Sequence, residues 1–298
     1  MEDHNVFAGA FVDRNTQRRK DSHWLDTALL HENTRFIPIC GDYFLIGGDP
    51  LHLKLLERHQ VESLLEEHNQ IFIGLFRGNP TFAIMTNKDK ITTYRELGEL
   101  QDLRSLGSAI PADEANLAAH ARGLALWHGS QQFCGQCGSS TYSDNGGNSR
   151  RCMNIDCNRA IFPRVDPAII VLVTDGDRCL LGRQAGWPEG RYSTIAGFVE
   201  PGESPEDAVC REVFEETNIR VCDVCYSSSQ PWPFPSSLML GFITKTDATV
   251  TQEIRLNDGE LEDAAWFTRK ELTSGFPKLP LRISIARRLI DGWLSLEG

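Results

Sequence analysis

Apolar and polar positions along the chain lay out its elements before any chemistry is considered. Phe36-Ile-Pro-Ile-Cys40, a Gly-Asp turn and Tyr43-Phe-Leu-Ile46 are two short apolar runs about a turn, the pattern of a β-hairpin. The same pattern returns at Ile71–Phe76 and Thr81–Met85 about Arg77-Gly-Asn-Pro80, and again at Ala168–Thr174 and Arg178–Gly182 about Asp175-Gly-Asp177. Residues 112–129 carry a helical period, with Leu117, Ala121, Leu124 and Trp127 facing inward, and this helix closes an N-terminal α+β unit. His120 and His128 belong to it and read as structural. A strand, a loop, a helix and a mixed sheet follow the third hairpin, and Arg282–Leu294 has the apolar period of a terminal helix. Residues 1–35 are polar and weakly patterned, so a ragged start is expected. No repeat or low-complexity segment interrupts the pattern.

Inside this frame, Ser204 is an N-cap and Pro205 a first helical residue, which predicts a helix over 205–217. Glu212, Glu215 and Glu216 then stand at i, i+3 and i+4 and share one face. Three like charges that close repel unless a cation lies between them, and hard divalent ions such as Mg²⁺ favour oxygen ligands and substrate phosphates. A merely solvated acidic face is the alternative. The spacing from Gly197 through Glu203 to Arg211-Glu212-Val-Phe-Glu215-Glu216 resembles the Nudix box, which marks hydrolases of diphosphates attached to another group. One position departs: the penultimate glycine of the box is Asn218, the non-glycine that best tolerates the left-handed residue ending a helix. Glu203 and Arg211 are expected to pair and brace the loop.

Downstream, Ser229-Gln230-Pro231-Trp232-Pro233-Phe234-Pro235-Ser236-Ser237 holds too many prolines for a helix or a central strand. It reads as a stiff extended loop presenting rings at fixed angles. The string resembles the substrate motif of the NADH pyrophosphatase branch of the Nudix family. Upstream, Cys134-Gly-Gln-Cys137 and Cys152-Met-Asn-Ile-Asp-Cys157 form two knuckles, and four thiolates at that spacing suit a closed, structural tetrahedral Zn²⁺ site. A zinc ribbon before the Nudix domain is also what the resemblance implies. Cys222 and Cys225 have no second pair to complete a site and read as buried small hydrophobes, and Cys40, Cys179 and Cys210 as core thiols.

The resemblance covers residues from about 100 onward and implies a fold and a set of roles. The fold class is α+β: an N-terminal α+β domain (1–129), a small zinc ribbon (130–162) and a C-terminal Nudix α/β/α sandwich with a mixed sheet (163–298). Glu212, Glu215, Glu216 and Glu260 match catalytic glutamates that hold Mg²⁺ or Mn²⁺, with Glu260 on a strand and Glu262 on the same strand face as the other possible register. Glu215 and Glu260 are the candidates to take a proton from water. Arg104, Phe162, Ala196, Phe198, Gln230, Pro231, Trp232, Pro233, Phe234, Pro235, Ser236, Ser237 and Ala286 match substrate positions, with Phe198 the candidate stacking ring. Hydrolysis of NADH or NAD⁺ to NMN(H) and AMP is implied, with removal of NAD caps from RNA as a variant using the same bond. A homodimer is implied as well. The other readings are a Nudix hydrolase of ADP-ribose or a CoA derivative and a nucleotide-sensing module, the second disfavoured by the intact Arg-Glu-x-x-Glu-Glu core.

Whole-chain properties narrow the field. All eight histidines lie at or before His128, which removes a His base or a Ser-His-Asp triad from the C-terminal half. A net charge of −11 over 298 residues disfavours nonspecific binding to nucleic acid or acidic membranes. No apolar run nears the ~20 residues of a membrane span. The polar first twenty residues lack a secretory signal pattern, and the final Leu-Glu-Gly is not a peroxisomal address. Nine cysteines with zinc spacing point to a reducing compartment, and the cytosol is expected.

Overall fold

The computed structural model describes residues 4–66, 68–250, 253–257 and 259–296. The last two residues of the Leu-Glu-Gly terminus and the first three of the expected ragged start lie outside the described residues. The chain divides into two compact units, one of Met1–Val6, Asp166–Trp232 and Ser237–Gly298, the other of Phe7–Val165 with Pro233–Ser236.

The second of these holds strands β1 (Val12–Asp13), β2 (Arg35–Cys40), β3 (Tyr43–Gly47), β4 (His52–Leu53), β5 (Gln70–Phe76), β6 (Asn79–Met85) and β7 (Glu99–Asp102) in a seven-stranded sheet ordered β1-β5-β6-β2-β3-β4, with β7 on β3. The two hairpins read from the apolar runs are β2–β3 and β5–β6, joined by parallel pairing of β2 with β6. Helices α1 (Ser22–Leu30), α2 (Arg58–Val61), α3 (Lys88–Ile91), α4 (Leu103–Leu106) and α5 (Ala112–Ser130) complete this part. Its core gathers Phe36, Phe72, Phe82, Leu45 and Ile84. From residue 4 onward the ragged start does not occur. Phe7 is fully buried, Asn116 Nδ2 donates to its carbonyl at 2.7 Å, and Asp21 caps α1 so that Trp24 packs edge-on to Phe72 at 5.3 Å. A few apolar anchors within a polar segment order it although they form no period.

β8 (Thr141–Asp144), β9 (Ser149–Cys152) and β10 (Ala160–Ile161) make a separate three-stranded sheet. His128 in α5 serves structure: one ring nitrogen lies 2.7 Å from the Gly147 carbonyl and the other receives Arg150 Nη1 at 2.9 Å.

In the first unit, β11 (Asp166–Asp175), β12 (Arg178–Arg183), β13 (Ile195–Phe198), β14 (Val221–Trp232), β15 (Ser237–Thr246) and β16 (Asp263–Thr268) form a mixed sheet ordered β14-β15-β11-β12-β16, with β13 on β11. β11 runs parallel to β15 and is buried on both faces. Its period of two sends Ile169, Val171 and Val173 toward Ala208, Val209 and Val213 of α6 (Pro205–Thr217). Ile170 and Leu172 pack on the other face against Ile285, Leu289, Ile290 and Trp293 of α8 (Ile285–Ser295), which follows the short α7 (Arg269–Thr273). Each such side chain contributes about 1.5–3 kcal/mol on burial. The result is an α/β/α sandwich.

Three expectations are corrected here. α8 begins at Ile285, after its N-cap Ser284, so Arg282 and Ile283 precede the helix. Ser229–Trp232 is not loop: it ends β14, with Gln230, Pro231 and Trp232 opposite Met239, Leu238 and Ser237. β14 is an edge strand, where a proline costs no ladder bond. Cys210, Cys222 and Cys225 are exposed rather than buried, and Cys40 is half-buried. The pairing register shifts between Cys222 and Cys225, with Asp223 at φ 54°, and Cys210 takes the solvent side of α6. Cys179 is a core thiol, pushed up to about 12 by burial.

Candidate active site

The helix that carries the carboxylates is set at both ends by its own residues. The Ser204 hydroxyl accepts from Asp207 N–H, Asp207 returns a bond to Ser204 N–H, and Pro205 starts the helix. Asn218 ends it in the left-handed conformation at φ 64°, donating its N–H to Phe214 O at 2.7 Å. These caps fix which face points where. Glu212, Glu215 and Glu260 line one open basin of 750 Å³ together with Phe198, Arg211 and Glu200.

Arg211 is the brace of this basin. It donates to both oxygens of Glu203 at 2.7 and 2.9 Å, to Phe198 O at 2.9 Å, and through Nη1 to Glu212 at 2.9 Å and Glu215 at 3.0 Å. Its hydrogen bonds to Glu203, then to Glu212 and Glu215, hold it firmly protonated, and it holds the Glu203 carboxyl below the usual range. Glu212 is pushed up, first by burial and then by the like charges of Glu215 and Glu260, against the opposing pull of Arg211. Glycine at 197 has a steric reason: a Cβ there would lie 1.9 Å from the Glu212 carboxyl carbon.

The carboxylates are not drawn into one tight ligand set. Among the described residues, the one group of His, Cys, Asp or Glu ligand atoms mutually within 4.8 Å is the four cysteines. Donor chemistry nevertheless fits a hard cation, since several carboxylates share a basin and burial, with the like charges of Glu215 and Glu260, disfavours the charge of Glu212. Glu216 is buried, at 3 % exposure, and borders an inner pocket of 200 Å³ with Trp232, Met239, Thr194 and Ile285. Gln184 and Ala196 border both spaces.

Glu260 does not stand on a strand, because β16 starts only at Asp263. It lies in a bend anchored by buried Leu261, where it faces the basin, whereas Glu262 forms an ion pair with Arg183. The loop separates the two side chains that a strand would have kept on one face.

Phe198 is 59 % exposed at the basin's edge. Gln230 is fully buried with its amide consumed: Nε2 donates to Val6 O and Ile283 O at 3.0 and 2.8 Å, and Oε1 accepts from Ile285 N–H at 2.8 Å. It locks the chain ahead of α8 to β14 and borders the inner pocket. Ala286 is core, at 1 % exposure. Arg104, Phe162 and Pro233–Ser236 belong to the other unit. There Phe162 is exposed, and Phe234 lies between the guanidinium groups of Arg104 and Arg122 at 4.8 and 4.7 Å, edge-on to Phe7. Gln184, Trp187, Thr194 and Asn257 also line the two spaces. They stand outside the apolar periods, and no spacing in the sequence singles them out.

In the ribbon, the sulfurs of Cys134, Cys137, Cys152 and Cys157 all lie within 4.8 Å of one another, with Cys134–Cys157 at 3.9 Å and Cys137–Cys152 at 3.4 Å. Backbone N–H groups of Gln136 and Cys137 point at Cys134 and lower its thiol. Four sulfurs converging without a disulfide fit a soft or borderline metal.

Comparison with known proteins decides the family. Residues 164–290 match the NUDIX domain and residues 33–127 the NADH pyrophosphatase-like rudimentary NUDIX domain. The chain is similar to NAD-capped RNA hydrolase NUDT12 of Macaca fascicularis, at 33% identity over 98% of this chain and 74% of that protein. The chain belongs to the NADH pyrophosphatase branch of the Nudix hydrolases. NAD-capped RNA hydrolase NudC of Mycobacterium bovis is 43% identical over 76% of each chain. This Nudix hydrolase is therefore an enzyme whose carboxylate basin lies in its matched NUDIX segment. The rudimentary domain accounts for the N-terminal hairpins, whose described residues carry no glutamate-rich helix of that kind.

Proposed function

We propose that this Nudix hydrolase cleaves the diphosphate bond of NADH and NAD⁺ to NMN(H) and AMP, and removes NAD caps from RNA by the same cleavage. The observation that carries it is the convergence of Glu212, Glu215 and Glu260 on one basin, with Glu216 on the adjoining pocket. The named relatives, both NAD-capped RNA hydrolases, support the substrate.

Glu212, Glu215, Glu216 and Glu260 would hold Mg²⁺ or Mn²⁺, which when bound neutralises charge on the diphosphate and makes water a better nucleophile. The protein's own work is positional. Arg211 and Glu203 keep the loop after β13 fixed to α6, so the carboxylates meet the diphosphate in a preset arrangement. Glu215 or Glu260 takes the proton from the attacking water. Phe198 stacks on a ring of the substrate at the basin's edge. The cysteines Cys134, Cys137, Cys152 and Cys157 hold a structural Zn²⁺ with no position open to chemistry. A three-part division into residues 1–129, 130–162 and 163–298, a homodimer and a cytosolic location belong to the same reading, the first supported by the ribbon's separate sheet.

Product analysis tests it. With NADH, NAD⁺, ADP-ribose and NAD-capped RNA under Mg²⁺ or Mn²⁺, AMP with reduced NMN is expected from NADH, and 5′-monophosphorylated RNA from the capped RNA. Faster turnover of ADP-ribose than of either dinucleotide would overturn the assignment.

A further inference from the structure

The bend that brings Glu260 to the basin reads Glu260-Leu261-Glu262-Asp263, with three carboxylates in four residues. A slip of two residues along β12 keeps a side chain on the same face and would offer Glu262 in place of Glu260. The fold commits the other two carboxylates elsewhere. Asp263 opens β16 opposite Arg183 of β12 and accepts from the hydroxyl of Tyr192, a buried ring packed edge-on to Phe267 at 5.0 Å. Glu262 pairs with the Arg183 guanidinium. Leu261 is buried over Gly182, where a Cβ would lie 2.7 Å from its Cδ1. Of the three carboxylates, Glu260 is the one that lines the basin.

Arg183 ends β12 and takes hold of the bend twice. Its carbonyl accepts from Glu262 N–H at 2.9 Å, and its guanidinium pairs with the carboxylate of the same residue. The guanidinium is itself anchored, because Nη2 donates to Trp187 O at 3.2 Å. The preceding Gly182 exchanges two bonds with Ser193, each of 2.9 Å. A fully exposed ion pair has little hold on the chain. Here the cationic partner is mostly buried and bonds two groups at once, which the planar fork of arginine permits and a lysine would not. Trp187 lines the inner pocket, so one side chain ties a wall of that pocket to the bend that carries Glu260.

We propose that Arg183 is a positioning residue for the reaction: by holding Glu262, it fixes the register in which Glu260 faces the basin. This rests on the reading that Glu260 helps to hold Mg²⁺ or Mn²⁺. Carboxylates that ligate metals depend on the neighbouring bonds that orient them, and loss of such a partner costs about 10- to 100-fold in metal affinity or activity.

The test measures Mn²⁺ affinity by electron paramagnetic resonance without substrate, for wild type, Arg183→Met, Glu262→Ala, Glu262→Gln and Glu260→Gln. The first two substitutions are also combined with Glu260→Gln, and kcat and KM on NADH are taken for every variant. Charge acting through space gives opposite signs: removing the cation at 183 tightens Mn²⁺, and removing the anion at 262 weakens it. Positioning gives one sign. Arg183→Met and Glu262→Ala should each weaken Mn²⁺ roughly tenfold, the low end for a partner that orients a ligand. Each should cost no more than about twofold further in the Glu260→Gln background, since groups that act through one another are not additive. The fall in turnover should lie in kcat and follow the same pattern. Glu262 is exposed, so its variants keep the test open should a thermal melt show Arg183→Met unfolded. Glu262→Gln removes the charge but keeps an acceptor for Arg183, and it should lose less than Glu262→Ala. Opposite signs, unchanged affinity, equal losses for the two Glu262 variants, or losses that multiply with Glu260→Gln would overturn the proposal. Wild type that binds no Mn²⁺, or Glu260→Gln that binds it as wild type does, would remove the metal role of Glu260 and the proposal with it. If the Mn²⁺ pattern holds but NADH is not cleaved, the positioning role stands and the substrate reading falls.

Discussion

At the scale of single residues, geometry here is controlled by what is left out as much as by what is present. Gly197 has no side chain because the Glu212 carboxyl occupies that space. Gly197→Ala should therefore fold, since the displaced group is the end of a flexible side chain, yet move Glu212 out of place. A displacement near 1 Å costs on the order of a hundredfold in rate. Steady-state kinetics on NADH beside a thermal melt checks this: a large loss of kcat with a small change in Tm is expected. A rate near wild type would mean Glu212 tolerates relocation. Phe198 poses the complementary case, a ring held out at the basin's edge with 59 % exposure. The diphosphate is common to all the dinucleotides, so discrimination must come from their ends. A base–aromatic stack contributes about 1–3 kcal/mol, roughly 5- to 150-fold. Phe198→Ala should lower the kcat/KM ratio of NADH over ADP-ribose by a factor in that range, and equal losses on both substrates would assign the ring to architecture.

Elements show which parts of the molecule the sequence could declare. α6 was legible from end to end, because caps and carboxylate spacing are local: Ser204, Pro205 and Asn218 act within one turn of themselves. β14 was not, since whether a proline-rich string forms an edge strand depends on β15 pairing beside it. Glu260 was expected on a strand, and its loop position could not be read, for the bend before β16 goes with buried Leu261 and the Arg183–Glu262 pair. Gln230 was read as touching substrate, and only the folded chain shows that its amide also bonds Val6, Ile283 and Ile285 while it borders the inner pocket. The inward face of α5 was legible too, and its histidines give that helix a pH dependence. His120 receives Arg14 Nη1 at 3.0 Å, and burial, then the charges of Arg14 and Arg19, push it from 6.5 down to about 3. Burial likewise lowers His128. Between these limits the unfolded chain binds the proton and the folded chain does not, so stability is lost as pH falls below 6.5. The slope for one such group is at most about 1.4 kcal/mol per pH unit, and less for a partly exposed ring. Thermal melts from neutral to mildly acidic pH should show His120→Gln losing less Tm than wild type. Identical losses would remove His120 from the acid response.

Across the whole molecule, two kinds of site divide the labour. The carboxylate basin belongs to the unit built on β11–β16, and the four cysteines belong to the unit that contains the seven-stranded sheet. Residues 130–162 bury little apolar side chain of their own, and Phe133, Met153, Ile155 and Phe162 are all exposed. A segment with so thin a core requires another source of order, and four converging sulfurs supply it once a metal is bound. Removing that metal should act on folding and leave the chemical step alone. Cys152→Ser should abolish tightly bound zinc and, at a cost of about 3 kcal/mol, lower Tm by roughly 6–12 °C. Turnover per folded molecule with NADH should stay within about twofold of wild type, because a closed four-cysteine site offers no position for substrate. Elemental analysis, a melt and active-site-normalised kinetics on the same preparation decide the matter. Native protein without stoichiometric zinc would refute the metal. A variant that kept its Tm but lost its turnover would move the cysteines from scaffold to catalysis.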